Sequence, residues 1–105
     1  MKFHEVKMCS VSTAHISRQD NELLLKVAEA EDFWVLTVYR KSGGFFIFVD
    51  DFTDDTRTGP RRAMEEADFS QEFIDLMEAA SMQGYWWMLL DEDEQPHPEL
   101  PVFDW

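Results

Sequence analysis

The stretch FWVLTVYRKSGGFFIFVD, residues 33–50, decides the fold of this chain. Its two halves are rich in β-branched and aromatic residues, which favour strands. The residues KSGG (41–44) separate the halves, and a short loop that contains glycine is typical of a β-hairpin. The sequence therefore predicts two antiparallel strands, over residues 33–40 and 45–50.

The N-terminal flank of the hairpin predicts another strand and a helix. FHEVKMCSV (3–11) alternates loosely between apolar and polar residues, as a half-buried strand does. Ser17-Arg-Gln-Asp20 resembles a capping box with Asp in place of the usual Glu. We therefore expect a helix that runs from this box to about Glu31.

The C-terminal flank predicts a helix and then a strand. Ser70 is a good N-cap, and Gly84 stands where a glycine commonly ends a helix. YWWMLL (85–90) predicts a last, buried strand. Pro60 can start a short extra helix upstream, because the N–H that proline lacks has no helical partner in the first turn.

The resulting order, β-α-β-β-α-β, predicts an α+β ferredoxin-like sandwich. We expect a four-stranded, mostly antiparallel sheet with two main helices, a short extra helix and an extended C-terminal tail. A chain of 105 residues predicts a single domain. Within it, residues 1–90 would form the α/β core and residues 91–105 the acidic tail, in which three prolines disfavour a helix.

The predicted strands are apolar on both faces, although a two-layer sandwich normally leaves one sheet face polar and wet. In 85–90, for example, three apolar side chains alternate with three others. Something should therefore cover the second face: residues 51–69, the tail, or a second subunit. We expect the tail residues Val102, Phe103 and Trp105 to fold back onto the sheet as a lid, with contact to a partner as the alternative.

The net charge of −13 is unevenly distributed along the chain. Residues 1–62 hold all nine Lys and Arg together with ten acids, whereas residues 63–105 hold twelve acids and no Lys or Arg. Such asymmetry indicates an interaction surface, although a merely solvated acidic surface is the alternative. The charge disfavours direct binding of nucleic acid, because phosphates require basic contacts.

The acids of the C-terminal part suggest where a basic partner would bind. Glu65, Asp68, Glu72 and Asp75 are spaced to form a stripe on one continuous helix, provided that Ser70 does not interrupt it. Glu78 and the run 91–94 would extend this patch, and an exposed Trp at the C-terminus could anchor a partner. The predicted partner-binding residues are Glu65, Asp68, Glu72, Asp75, Glu78, Asp91, Glu92, Asp93, Glu94 and Trp105.

Other residues offer weaker candidates for chemistry. Cys9 and His15 would form a nucleophile–base pair only if they were in contact, and an ordinary buried cysteine is the commoner case. We expect His15 to satisfy backbone groups in the turn between strand and helix. The carboxylates of 50–55 suit a hard cation but lack the spacing of an EF-hand, and the three histidines are too scattered for zinc. We predict no enzymatic activity, catalytic residue, metal or cofactor.

The remaining features indicate a reducing compartment. Cys9 is the only cysteine, so no internal disulfide is expected. The N-terminus lacks the apolar region of a signal peptide, and no apolar stretch approaches the ~20 residues that span a membrane. We therefore expect a cytoplasmic protein without a membrane partner.

Three motifs resemble a family of short uncharacterised acidic proteins of bacterial plasmids, integrative elements and phages. They are Ser12-Thr-Ala-His-Ile16, Gly84 with Trp86-Trp87, and Leu100-Pro-x-Phe-Asp-Trp105. The resemblance implies a setting among accessory genes of mobile elements, and the family brings no assigned activity or catalytic residues that could be carried over. By analogy with small acidic anti-defence proteins, we expect an anti-CRISPR or antirestriction inhibitor that binds a basic nucleic-acid-handling surface, with nucleic-acid mimicry as one mode of binding. The alternative is an accessory binding module or homodimer.

Overall fold

A computed structural model of the chain describes residues 1–30, 36–52 and 59–105. It confirms the predicted order of elements and the short extra helix that begins at Pro60. A 3₁₀ turn at Thr13–His15 follows the first strand. The elements are β1 (Lys7–Ser12), α1 (Arg18–Ala30), β2 (Val38–Lys41), β3 (Gly44–Phe48), α2 (Pro60–Glu66), α3 (Gln71–Met82) and β4 (Tyr85–Asp91).

Strand β1 begins at Lys7, four residues later than the sequence indicated. Lys7 pairs with Tyr85, the first residue of β4, so residues before Lys7 have no strand to pair with. The predicted strand 33–40 is a strand from Val38 onward, and its residues 33–35 lie outside the described part.

The hairpin loop has two residues, Ser42 and Gly43, because Lys41 and Gly44 already pair. Gly43 has φ = 78°, a left-handed conformation that glycine adopts at little cost. Gly44 is required for another reason. A Cβ there would lie 1.7 Å from the carbonyl oxygen of Leu90, so only glycine lets β4 approach this closely.

The sheet has the strand order β1-β4-β3-β2. Two of its three pairings are antiparallel, and β1 runs parallel to β4. The arrangement is thus ferredoxin-like in element order, and its first strand lies at the edge with the last strand in the interior. We call the end of the sheet where β1 and β4 finish the upper end, and the end where β3 finishes and β4 begins the lower end.

The helices cover one face of the sheet. Strand residues that are paired in register share a face, and Val38, Ile47 and Met88 are all 0–1% exposed. They belong to one apolar core with α1, α2 and α3. The helices contribute Leu24, Met64, Phe73, Ile74, Met77 and Ala80, and the connection between α2 and α3 contributes Phe69.

The opposite face, which we call the outer face, is also apolar, as the sequence indicated. Met8 and Tyr39 on it are 52% and 50% exposed. The Trp87 ring lies between those of Tyr39 and Phe48, with centroids 6.3 Å and 5.4 Å away. Helix α2 packs in the core on the other side through Met64, so α2 itself does not cover the outer face.

The helix caps meet at the upper end of the sheet. Ser70 accepts a hydrogen bond from the Phe73 N–H at 3.2 Å, and Ser17 accepts one from the Asp20 N–H at 3.1 Å, as the two N-cap predictions required. The Asp20 carboxylate, 0% exposed, accepts hydrogen bonds from the hydroxyls of Ser17 and Ser70 and from the Ser70 N–H. Asp20 therefore joins the starts of α1 and α3.

Candidate protein-binding surface

Arg61 organises the acids on α2 and α3. Its guanidinium lies 3.6 Å from Glu65 and 2.8 Å from Asp75, and it also pairs with Glu78. The hydrogen bond to Asp75 is the largest cause that raises the pKa of Arg61. The hydrogen bond to Glu78 and the negative charges of Asp75 and Glu78 also raise this pKa. Three carboxylates around one guanidinium leave the cluster with two net negative charges.

The predicted stripe does not lie on one continuous helix. α2 ends at Glu66 and α3 begins at Gln71, so the condition attached to Ser70 fails. Asp68 lies between the helices with φ = 72°, and its carbonyl accepts a hydrogen bond from Gln19. The helix stops here because Asp68 adopts the left-handed conformation of a C-terminal cap, in which the Phe69 N–H donates to the Met64 carbonyl and the Asp68 N–H to the Glu65 carbonyl. Arg61 brings Glu65 together with Asp75. Asp68 forms no ion pair with Arg61 and does not belong to this cluster.

The run Asp91–Glu94 forms a turn at the upper end of the sheet. Asp91 lies 3.8 Å from the Lys41 ammonium and accepts a hydrogen bond from the Asp93 N–H. The Glu92 N–H donates to the Gly43 carbonyl at 3.0 Å, which fixes the turn against the hairpin loop. This backbone order holds four consecutive carboxylates in place.

Ion pairs neutralise fewer than half of the twelve acids in residues 63–105. Lys41, Arg61 and Arg62 reach into this segment. In the part of the chain that the structure describes, they pair with five acids, and seven acids have no ion pair. The seven are Asp68, Glu72, Glu92, Asp93, Glu94, Glu99 and Asp104.

The tail folds back as expected but lands elsewhere than on the outer face. The Phe103 N–H donates to the Ala14 carbonyl at 2.9 Å, and the Trp105 indole N–H donates to the Ile16 carbonyl at 3.0 Å. The lid prediction was therefore wrong about its target. The connection between β1 and α1 has carbonyls that neither element satisfies, and the extended tail supplies donors for them. Trp105 remains 54% exposed.

His15 holds the tail at two further points. Its Nε2 accepts a hydrogen bond from the His97 N–H at 2.7 Å, so this nitrogen carries no proton. Its Nδ1 lies 2.8 Å from the Pro101 carbonyl, to which it therefore donates. His15 is 3% exposed and satisfies backbone groups as predicted, although these groups belong to the tail. Two of the sequence motifs, 12–16 and 100–105, thus pack against each other.

The alternative chemical candidates find little geometric support among the described residues. Both ring nitrogens of His15 are engaged by backbone, and the Cys9 thiol donates to the Trp87 carbonyl at 3.7 Å. Burial is the largest influence on Cys9 and raises the pKa of its thiol, which disfavours the thiolate. No group of three or more metal-ligating side chains forms within 1–30, 36–52 and 59–105. The carboxylate loop 50–55 lies partly outside those residues.

The clustering of acids around Arg61 and the bridge from Asp20 to Ser70 were not predicted from the sequence. Arg61 lies just before residues 63–105, the segment without Lys or Arg. A count of charges along the chain therefore placed Arg61 in a different segment from the acids with which it pairs. A signal was present, since Arg61 and Glu65 are spaced i, i+4 on a short helix.

The chain belongs to a family of unknown function, DUF5983, whose C-terminal domain matches residues 8–105. This agrees with the resemblance to an uncharacterised family. No curated protein and no solved structure matches the chain. None of the helices in the described residues is both long and apolar enough to cross a bilayer.

Proposed function

We propose that this DUF5983 domain is a non-enzymatic inhibitor of a bacterial defence complex, of the anti-CRISPR or antirestriction type. It would act in the cytoplasm of a bacterial host that carries a mobile element. Its acidic surface would bind a basic, nucleic-acid-handling surface of the complex and compete there with phosphates. The observation that carries the proposal is the set of acids without ion pairs in residues 63–105.

The unpaired acids favour a basic partner on energetic grounds. Like charges held close together repel, and a basic surface relieves this cost when it binds. Glu72 lies in the first turn of α3, and Glu92 and Asp93 lie in the turn that is fixed to the hairpin, so ordered backbone supports all three. Such an array would accelerate association by electrostatic steering, and salt would weaken the binding.

Trp105 would act as an aromatic anchor at the edge of this surface. Its indole N–H is satisfied by Ile16, which fixes the ring while about half of its surface stays exposed. A pre-ordered aromatic ring loses little entropy on binding, and such rings often carry much of the interface energy.

The structure permits a sharper charge test than reversal of Asp75 or Glu78, because both are bound to Arg61. In the test variant, Glu72, Glu92 and Glu94 become Gln and Asp93 becomes Asn. The matched control replaces four other acids, at the exposed positions Glu5, Glu22, Glu29 and Glu66, by Gln. Both variants carry the same net charge, so any difference between them reports the position of the charges.

The assay measures phage survival in bacteria that express the chain together with one of a panel of CRISPR or restriction systems. We expect one system to be inhibited by the wild type and by the control, and inhibition to be lost in the test variant. A pull-down at low and high salt identifies the target, and the test variant should associate at least about tenfold more slowly at low salt. Equal inhibition by both variants would contradict the proposal.

A second candidate is an accessory binding module that self-associates through its outer face. The observation in its favour is the apolar outer face with Met8 and Tyr39 half exposed, since large apolar patches commonly mark interfaces. Light scattering over a protein concentration series tests this candidate. A dimer that persists in high salt and is lost on Phe48→Ser would support it, whereas a monomer at all concentrations would exclude it.

A further inference from the structure

A cleft of about 350 Å³ opens at the lower end of the sheet, away from the acidic surface. The Val49 N–H donates to the Trp86 carbonyl at 2.8 Å and holds the end of β3 against the start of β4. Asp50 therefore leaves the sheet beside the aromatic residues Tyr85 and Trp86, which line the cleft with it. Its volume falls at the small end of the range for ligand pockets, about 300–1,000 Å³.

Asp50 is a carboxylate without a partner. It is partly buried, and among the described residues no hydrogen bond or ion pair satisfies it. Burial alone raises the pKa of Asp50, which marks a negative charge that the fold desolvates without compensating. An incoming cation would compensate it.

The other walls of the cleft also favour a cation. Ser81 and Gly84 belong to the C-terminal end of α3, where the helix dipole is negative. Trp86 is 47% exposed, and indole is the best of the aromatic acceptors for a cation.

Lys7 shows that groups beside the cleft already bind a cation. Its ammonium lies 2.8 Å from the Gln83 carbonyl at the end of α3 and 4.5 Å from the centre of the Tyr85 ring. A helix-end carbonyl and an aromatic ring together thus hold a cation at this end of the molecule. The cleft next to it shares the Tyr85 ring, lies at the same end of α3 and adds the unpaired carboxylate of Asp50.

We propose that this cleft binds the side chain of an arginine residue presented by a partner protein. A planar guanidinium can stack on Trp86 while its N–H groups pair with Asp50, a combination that the compact ammonium of lysine reproduces less well. The proposal is independent of the inhibitor function, because the acids of 65–78 and 91–94 line no part of the cleft.

The test is an NMR titration of the full chain with N-acetyl-arginine methylamide. The Gly84 amide and the Trp86 indole N–H should shift in a saturable manner, with the indole signal assigned from a Trp86→Phe variant. The capped lysine should bind more weakly, and the capped citrulline, a neutral analogue of arginine, should produce no saturable shifts. Equal affinity for citrulline or lysine, or shifts that map to 91–94 instead, would overturn the proposal.

Two variants separate the role of Asp50 from general charge. Asp50→Asn should weaken arginine binding about tenfold, the usual effect of losing a charge-assisted hydrogen bond. Glu22→Gln removes an exposed acid on α1, outside the cleft and the acidic surface, and should leave the affinity unchanged. Both spectra should keep the dispersion of the folded wild type, so a loss of binding cannot be due to unfolding. Unchanged affinity in Asp50→Asn would refute the assignment.

Discussion

Two aspartates at opposite ends of the sheet illustrate two uses of a buried carboxylate. At the upper end, Asp20 is fully buried and accepts three hydrogen bonds from Ser17 and Ser70. At the lower end, Asp50 is partly buried and has no partner among the described residues. A fully satisfied carboxylate stabilises its surroundings, whereas an unsatisfied one costs free energy that a ligand can recover. The first is therefore structural, and the second suits a binding site.

The largest effect should follow from Asp20→Ala. This change leaves the Ser70 N–H and two hydroxyls without their acceptor in the protein interior, so we expect a loss of about 3 kcal/mol in the free energy of unfolding. Urea denaturation measures it. Asp20→Asn keeps one acceptor oxygen and should lose less. If Asp20→Ala were as stable as the wild type, the contrast between the two aspartates would disappear.

A smaller effect is expected for His15→Ala, which releases the tail from the upper end. The change removes two hydrogen bonds and leaves a cavity, and together these should cost about 2 kcal/mol. Hydrogen exchange at the Phe103 amide is the specific readout, because this N–H is protected only while the tail is docked on Ala14. His97→Ala is the control, since His97 contributes its backbone N–H to the clamp and its side chain is exposed. Unchanged exchange at Phe103 in His15→Ala would show that the clamp does not depend on the imidazole.

The smallest effect should come from Asp50→Asn, and it should have the opposite sign. Because burial raises the pKa of Asp50 in the folded state, the charged form is disfavoured by folding, and the wild type gains stability as the pH falls through that pKa. Asn removes the penalty, so the variant should have a slightly higher Tm than the wild type at pH 7. The difference should shrink as the pH is lowered toward 4. If Asp50→Asn were less stable than the wild type at pH 7, Asp50 would be a structural residue, as Asp20 is.

Local signals predicted most of the elements, and long-range contacts account for what the sequence did not reveal. The hairpin and the caps at Ser17 and Ser70 follow from residues that lie within a few positions of each other. The bridge from Asp20 to Ser70 joins residues 50 positions apart, and the strand order depends on distant pairs such as Lys7 with Tyr85. Periodicity along the sequence does not reveal such pairs. The beginning of the first strand was also misplaced for this reason, because β4 determines where β1 can begin.

The candidate surface was predicted less completely than the fold. The acids of 91–94 form one ordered turn, but the stripe over 65–75 required a continuous helix, and the chain ends α2 with a left-handed cap at Asp68. The tail was expected to fold back, and its apolar residues suggested the sheet as its target. The tail instead donates hydrogen bonds to the Ala14 and Ile16 carbonyls, which β1 and α1 leave unsatisfied. Amino-acid composition does not reveal such carbonyls.

The interior position of β4 has a consequence for how the chain folds during synthesis. β4 is the last strand to leave the ribosome, yet β1 on one side and β3 on the other both pair with it. Until Asp91 has emerged, the β2–β3 hairpin and β1 belong to no common sheet, and their apolar residues stay exposed. Pairings between distant residues form slowly, and chaperones act on chains with such exposed surface. We therefore expect nascent chains that are stalled before residue 85 to remain open to proteases, and protection to appear abruptly once β4 is complete.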